Sequence, residues 1–91
     1  MKYDWKYWAE KFMIDELGLD EEKIEYRRGN LSTDSDSLVY HRDNYEVIEI
    51  GLGYAFARDF YLEFDESTEA KFKDGLKVIG TMWKAANDGR N

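Results

Sequence analysis

The fold class follows from residues 60–86, FYLEFDESTEAKFKDGLKVIGTMWKAA, in which the spacing of apolar side chains changes along the chain. Residues 60–65 alternate between an inward set and an outward set, as in a half-buried strand: Phe60, Leu62 and Phe64 against Tyr61, Glu63 and Asp65. From Ser67, a favourable N-cap residue, the apolar spacing becomes helical as far as about Ala86. This segment therefore predicts a strand followed directly by a C-terminal helix.

The apolar face of this helix is made of residues that share one arc: Phe72, Leu76, Ile79, Trp83 and Ala86. Gly75 and Gly80 flank that arc, although each costs about 1 kcal/mol relative to alanine inside a helix. We expect the two glycines to let the helix sit close on the sheet.

A second amphipathic helix is predicted at residues 4–17. Its apolar arc is formed by large side chains and one alanine: Trp5, Trp8, Ala9 and Phe12. Asp4 is a favourable N-cap. Gly18 suits the position after the helix, because glycine adopts positive φ without steric cost.

Between the two helices, three segments have the composition of strands: Ile24–Arg27, Leu38–Arg42 and Tyr45–Leu52. For the first segment a short helix is an alternative, because Asp20 is also a suitable N-cap. Residues 29–37 are rich in turn formers and predict a loop. Asp43 and Asn44 tolerate positive φ and predict a hairpin turn.

Gly51 and Gly53 interrupt the third of these segments just before residues 54–57. They indicate a bulge, a bend or the close approach of another backbone. Taken together, the segments predict a single α+β domain over residues 1–91. Its two layers are an antiparallel sheet of three to four strands and, on one face of that sheet, an N-terminal and a C-terminal helix.

Composition narrows the function classes. The chain of 91 residues carries 20 acidic and 13 basic side chains, for a net charge of −7, and has no cysteine. The negative charge argues against direct binding of nucleic acid or anionic membranes and predicts basic partners. The absence of cysteine excludes disulfides and thiolate metal sites. No apolar run has the length of a signal peptide or a membrane span, so we expect a cytoplasmic protein.

No catalytic, metal-binding or cofactor motif is complete. Residues 34–36, Asp-Ser-Asp, resemble the start of a calcium loop, but Leu38 occupies the position of the next oxygen ligand. Residues 51–53, Gly-Leu-Gly, lack the remaining glycine and the lysine of a phosphate loop. The sequence therefore predicts no enzyme, metal or cofactor. A small enzyme would have to depend on a carboxylate or on His41, the single histidine.

The first predicted helix carries a second stripe of large side chains opposite its buried arc. Tyr3, Tyr7 and Ile14 form this stripe, with Glu10 beside it. Two interpretations remain open: ordinary surface exposure, or contact with a partner or a second copy of the chain. Tyrosine suits an interface because it offers a large area, few torsions to immobilise and a hydroxyl that tolerates water.

The acidic residues are clustered. One cluster lies within residues 15–25 and the other within residues 63–69, whereas residues 70–91 hold two acids and five bases. Such clusters form either a solvated surface or an array of carboxylates that occupies a groove built for phosphates. The predicted partner-binding residues combine the stripe with these clusters: Tyr3, Tyr7, Glu10, Glu21, Glu22, Glu63 and Glu66.

In these features the chain resembles the small acidic inhibitors carried by bacteriophages, including anti-CRISPR proteins and DNA mimics. The resemblance implies a non-enzymatic inhibitor in the host cytoplasm that blocks the nucleic-acid groove of a basic host defence protein or nucleoprotein complex. The positively charged last helix departs from the uniformly acidic surface of DNA mimics. The alternative prediction is a structural or assembly protein that homodimerises or docks through Tyr3, Tyr7 and Ile14.

Overall fold

A computed structural model describes residues 3–29, 36–43, 45–58 and 60–88, and of Asn87 and Asp88 it describes the backbone alone. Its elements, in chain order, are α1 (Trp5–Asp15), a short 3-10 helix (Glu21–Lys23), β1 (Ile24–Arg27), β2 (Ser37–Arg42), β3 (Tyr45–Gly51), β4 (Tyr54–Ala57), β5 (Phe60–Glu63) and α2 (Glu69–Asp88). Most of the predicted 29–37 loop, and Asn44 of the predicted turn, lie outside the described residues.

The strands form one antiparallel sheet in the order β1-β2-β3-β4-β5. The predicted α+β class with an N-terminal and a C-terminal helix is confirmed, but the sheet has five strands instead of three to four. The additional strand is β4, whose inward residues Ala55 and Ala57 are too small to give a clear apolar alternation. Leu52 and Gly53 are the two turn residues between β3 and β4, and Gly53 has φ +90°. The sheet therefore continues after the glycines through a tight hairpin.

In the N-terminal segment, local capping residues determine where the helices begin and end. The Asp4 carboxylate accepts the backbone N–H of Tyr7 at 3.2 Å, as the predicted N-cap should. Gly18 has φ +68°, although α1 ends at Asp15, two residues earlier than predicted. Asp20 caps the short 3-10 helix, and β1 follows directly from it, so both interpretations of this segment hold.

The start of α2 corrects one prediction. Thr68, not Ser67, is the N-cap, because its Oγ1 accepts the backbone N–H of Lys71 at 3.2 Å and its carbonyl accepts that of Phe72. The backbone N–H of Ser67 donates to Asp65 Oδ1 at 2.8 Å. The Asp65 side chain thus forms a turn before the helix, which moves the cap one residue along the chain.

Both helices pack against the same face of the sheet. Buried side chains of the central strands meet buried side chains of the helices in one core cluster, which includes Ile48, Ile50, Phe12, Met13 and Phe72. Phe72 is among the largest fully buried side chains of this cluster. Its ring centroid lies 5.6 to 6.3 Å from those of Tyr3, Trp5 and Phe64.

The two glycines of α2 allow close contacts, but not with the strands of the sheet. A Cβ on Gly75 would lie 2.2 Å from the ring of Phe64, which follows β5, and a Cβ on Gly80 would lie 3.2 Å from the ring of Phe12 on α1. Gly80 therefore serves helix–helix packing, whereas Gly75 lets α2 lie against the chain that leaves the sheet.

Candidate protein-binding surface

The structure distributes the residues predicted to bind a partner over several regions. Tyr7 and Glu10 are exposed on α1. Tyr3 is turned inward: its hydroxyl donates to the backbone carbonyl of Glu66 at 2.6 Å and its ring packs against Phe72. Burial, together with the nearby Glu66 and Asp65 carboxylates, raises the pKa of the Tyr3 hydroxyl. Tyr3 and Glu66 thus come together through the Glu66 backbone, while the Glu66 side chain is exposed and Ile14 is half-buried.

The remaining predicted residues lie near opposite edges of the sheet. Glu21 and Glu22 are in the 3-10 helix that leads directly into β1, the first edge strand. Glu63 ends β5, the other edge strand. With neighbouring strands about 4.8 Å apart, the two edges of a five-stranded sheet are separated by about 19 Å. The predicted residues therefore do not form one continuous patch, and their role in binding stays a prediction.

The structure instead brings a different set of side chains together on the face of the sheet away from the helices. Strand register assigns to this outer sheet face the residues Glu25, Arg27, Ser37, Val39, His41, Glu46, Glu49, Tyr54, Phe56, Tyr61 and Glu63. Neither described helix packs against it, because both contribute to the core on the opposite face. The outer sheet face is therefore a regular surface that the described helices leave uncovered.

Two neighbouring aromatic rings stand out on this face. Phe56 and Tyr61 are paired across β4 and β5, with ring centroids 6.2 Å apart in an edge-on arrangement. They are 55% and 56% exposed. The Tyr61 hydroxyl donates to Glu63 Oε1 at 3.0 Å, which holds a carboxylate beside the rings. An exposed pair of large rings next to an anion is typical of a contact surface.

Polar contacts hold the centre of the outer sheet face in place. Arg27 on β1 donates to Glu46 and lies 3.8 Å from Glu49, both on β3, so the pairs pass over β2 between them. Val39 on β2 is fully buried even though it belongs to this face. In the register Val39 lies opposite Glu25 on β1 and Glu49 on β3, on the strand that the ion pairs span.

Tyr54 extends this network toward the aromatic pair. Its ring lies over Gly51, where an added Cβ would come within 2.2 Å of it, and its hydroxyl donates to Glu49 Oε2 at 2.7 Å. Burial, with the hydrogen bond to the Glu49 carboxylate, raises the pKa of Tyr54 to about 12. Gly51 is therefore required here for the space that the ring occupies.

The ionisation of Tyr54 provides a test of this network. Because its pKa is about 12 in the folded chain against 10.0 for a free tyrosine, the fold favours the protonated form. The stabilisation is complete below pH 10 and is lost as the pH rises toward 12. In an absorbance titration, we expect Tyr54 to ionise last, after Tyr3 and Tyr61, whose pKa values are also raised. This last step should disappear in Tyr54→Phe and shift to lower pH in Glu49→Gln. Ionisation of every tyrosine near the free value, while circular dichroism still reports a folded chain, would contradict the arrangement.

The charges of the outer sheet face are mostly negative. Four glutamates, at positions 25, 46, 49 and 63, accompany one arginine, Arg27. Arg27 is paired with two of them, and the pKa of Glu46 is lowered by its hydrogen bond from Arg27. Glu25 contacts His41, with Oε2 and Nε2 3.0 Å apart, and Glu63 accepts the hydrogen bond from Tyr61. Carboxylates beside exposed rings are suited to bind guanidinium groups, which fork onto carboxylates and stack on aromatic faces.

Sequence reasoning found part of this face. The outward direction of Tyr61 and Glu63 is confirmed, since both are exposed. Tyr54 and Phe56 were missed because their segment was not recognised as a strand. The alternation of Tyr54 and Phe56 with two alanines is a usable signal, provided that small residues are accepted as inward positions.

Comparison of the chain with protein-family models, with curated proteins and with solved structures finds no match to any of them. Within the described ranges, neither helix combines the length and apolarity that crossing a bilayer requires. The same ranges contain no group of three or more histidine, aspartate or glutamate side chains placed to hold a metal ion.

Proposed function

We propose that this protein is a non-enzymatic binding protein whose outer sheet face covers a basic, arginine-rich groove of a partner protein that binds nucleic acid. The observation that carries the proposal is the exposed Phe56–Tyr61 ring pair, flanked by glutamates on a face of the sheet that the described helices leave open. Its action is inhibition by occupancy, because a groove filled by carboxylates and rings is closed to phosphates and bases.

The chemistry of arginine supports this partner class. A guanidinium group binds carboxylates with two parallel hydrogen bonds and stacks on aromatic rings, and the outer sheet face offers both features within neighbouring strands. The chain contains one such stacking arrangement of its own, with the guanidinium of Arg58 5.5 Å from the ring centroid of Tyr45. Lysine-rich partners fit this face less well, because ammonium groups lack the planar fork.

The overall charge supports the same conclusion. A net charge of −7 attracts a basic protein over long range and repels free nucleic acid, so the proposed partner is the protein component. That the partner belongs to a host defence system, and that the two meet in the cytoplasm, rests on the resemblance in composition to phage inhibitors.

The test uses a fluorescent, short arginine-rich peptide as the basic partner. We expect the protein to bind this peptide and to displace duplex DNA from it, with affinity that falls as salt is raised. Glu63→Gln should weaken binding, because Glu63 lies beside the ring pair. Fluorescence anisotropy measures the peptide complex, and a lysine peptide of equal length should bind more weakly.

The matched control is Glu10→Gln, which removes the same charge from the exposed face of α1. It should leave peptide binding close to that of the unsubstituted protein. Equal losses in Glu63→Gln and Glu10→Gln would mean that net charge, and not the outer sheet face, determines binding. Failure of the unsubstituted protein to bind the peptide or to displace the DNA would refute the proposal itself.

A further inference from the structure

A second open surface lies on the helical layer. The two helices enclose a groove of about 490 Å³, and every residue that lines it belongs to α1, to α2 or to the residue that follows α1. The outer sheet face lies beyond the sheet on the other side of the core. The interhelical groove is therefore separate from the surface described above.

The floor of the interhelical groove is apolar. Trp8, Phe12 and Leu76 line it, together with Gly80. Because Gly80 has no side chain, the ring of Phe12 can lie directly against α2, where an added Cβ would be 3.2 Å away. The two helices therefore pack closely along this floor, and the groove between two such helices is where a third helix can pack.

The rim of the groove is positively charged. Lys11, Lys73, Lys77 and Lys84 line it, against two acidic residues, Asp15 and Glu16. The lysines outnumber the acidic residues that line the groove, although the net charge of the chain is −7, and Glu69 and Asp74 on the same helix pair with Lys73 and Lys77. Lys73 places its Nζ 3.6 Å from the ring centroid of Trp8, which brings a cation directly over the apolar floor.

The length of this rim indicates the kind of ligand. From Lys73 to Lys84 the helix rises by about 16 Å, or three turns, at about 1.5 Å per residue. A ligand with a single anionic group would use one end of such a row. The matching ligand carries several acidic groups at helical spacing and an apolar side facing Trp8 and Phe12. An apolar floor does not suit the phosphate backbone of a nucleic acid.

The contacts that the rim lysines make in the free chain leave them available. Each rim lysine lies within 3.9 Å of a carboxylate: Lys11 of Asp15, Lys73 of Glu69, Lys77 of Asp74 and Lys84 of Glu16. These lysine side chains are 42% to 82% exposed. Exposed ion pairs of this kind contribute little to stability, with a median of about 0–1 kcal/mol. The lysines can therefore turn toward the carboxylates of a ligand at small cost.

We propose that the interhelical groove binds an acidic amphipathic helix of a partner protein. The apolar side of that helix packs on Trp8, Phe12, Leu76 and Gly80, and its carboxylates pair with the lysines of the rim. Together with an acidic outer sheet face, the groove gives the chain two surfaces of opposite charge. The inference does not depend on the function proposed for the outer sheet face.

The experiment uses a synthetic helical peptide with leucines at helical spacing and glutamates on both sides of them. Fluorescence anisotropy should show saturable binding to the unsubstituted protein and no comparable binding of a peptide with lysines in place of the glutamates. The double substitution Lys77→Glu with Lys84→Glu should weaken binding by about tenfold or more, equivalent to about 1.4 kcal/mol. Thr81→Phe, which fills the groove without a change of charge, should weaken binding as well.

The matched control is Lys23→Glu with Arg42→Glu, a reversal of two exposed cations outside the groove that gives the same net charge. It should retain binding, and so should Phe56→Ala on the outer sheet face. Equal losses in both charge reversals, or equal binding of the lysine peptide, would overturn the proposal. So would self-association or duplex DNA binding that is lost in Lys77→Glu with Lys84→Glu, since a second copy or a nucleic acid would then be the occupant.

Discussion

Replacing Phe56 by alanine should weaken binding of the arginine-rich peptide by about 30-fold, or about 2 kcal/mol. A loss of this size is usual when a central aromatic residue of an interface is truncated. Phe56 is 55% exposed and lies opposite Glu49 in the register, and its removal also leaves the Tyr61 ring without its edge contact. Guanidinium groups then lose the surface on which they stack. Anisotropy titrations of the labelled peptide measure the change directly.

Tyr7→Ala is the matched control for this substitution. Tyr7 is 53% exposed, close to the 55% of Phe56, but it lies on α1 and belongs to the set that the sequence predicted. We expect its removal to change peptide binding by less than about threefold. If Tyr7→Ala weakens binding and Phe56→Ala does not, the contact surface is the exposed face of α1, and the outer sheet face is not the binding site.

Replacing Phe72 by alanine should lower the free energy of unfolding by about 3–5 kcal/mol, the usual range for a phenylalanine truncated in a core. Phe72 is fully buried and its ring joins three others: Tyr3, Trp5 and Phe64. These rings come from the segment before α1, from α1 itself and from the segment after β5, so the cavity would loosen both helices against the sheet. Urea unfolding followed by circular dichroism measures the loss.

Val78→Ala is the control on the same helix. Val78 is 48% exposed, so its truncation removes little buried area and should change stability by no more than about 0.5 kcal/mol. A Phe72→Ala protein that unfolds at the same urea concentration as Val78→Ala would show that the two helices do not depend on this ring cluster. A small domain has about 5–15 kcal/mol of stability in total, so Phe72→Ala is also expected to populate unfolded chains.

Much of the fold was predictable from local chemistry. Asp4 caps α1 because its carboxylate accepts a backbone N–H of the first turn. Gly18 adopts positive φ because it has no side chain to clash with the backbone. Both effects are local and do not depend on the rest of the fold. The alternation of Phe60 and Leu62 with Tyr61 and Glu63 gave the last strand in the same way. The cap at Thr68 was missed because Ser67 is chemically equivalent, and the choice between them depends on the turn that Asp65 forms.

The candidate surface was less predictable. Tyr3 and Tyr7 lie on one stripe of the helical wheel, yet Tyr3 is held by Glu66, which is 63 positions away along the chain. A wheel contains no information about such a neighbour. The outer sheet face was hard to predict for the same reason, because Arg27 meets Glu46 and Glu49 across strands that are distant in sequence.

The amino-acid sequence alone established two amphipathic helices, most of the strands, a strongly acidic chain and the absence of cysteine chemistry. These properties depend on the spacing and type of residues within one or two turns of chain, where covalent geometry fixes which side chains are neighbours. Which large side chains stay in contact with solvent was settled by packing. Phe72 and Glu66 draw Tyr3 inward, whereas pairing of β4 with β5 leaves Phe56 and Tyr61 exposed side by side, because residues far apart in the chain compete for the same buried space.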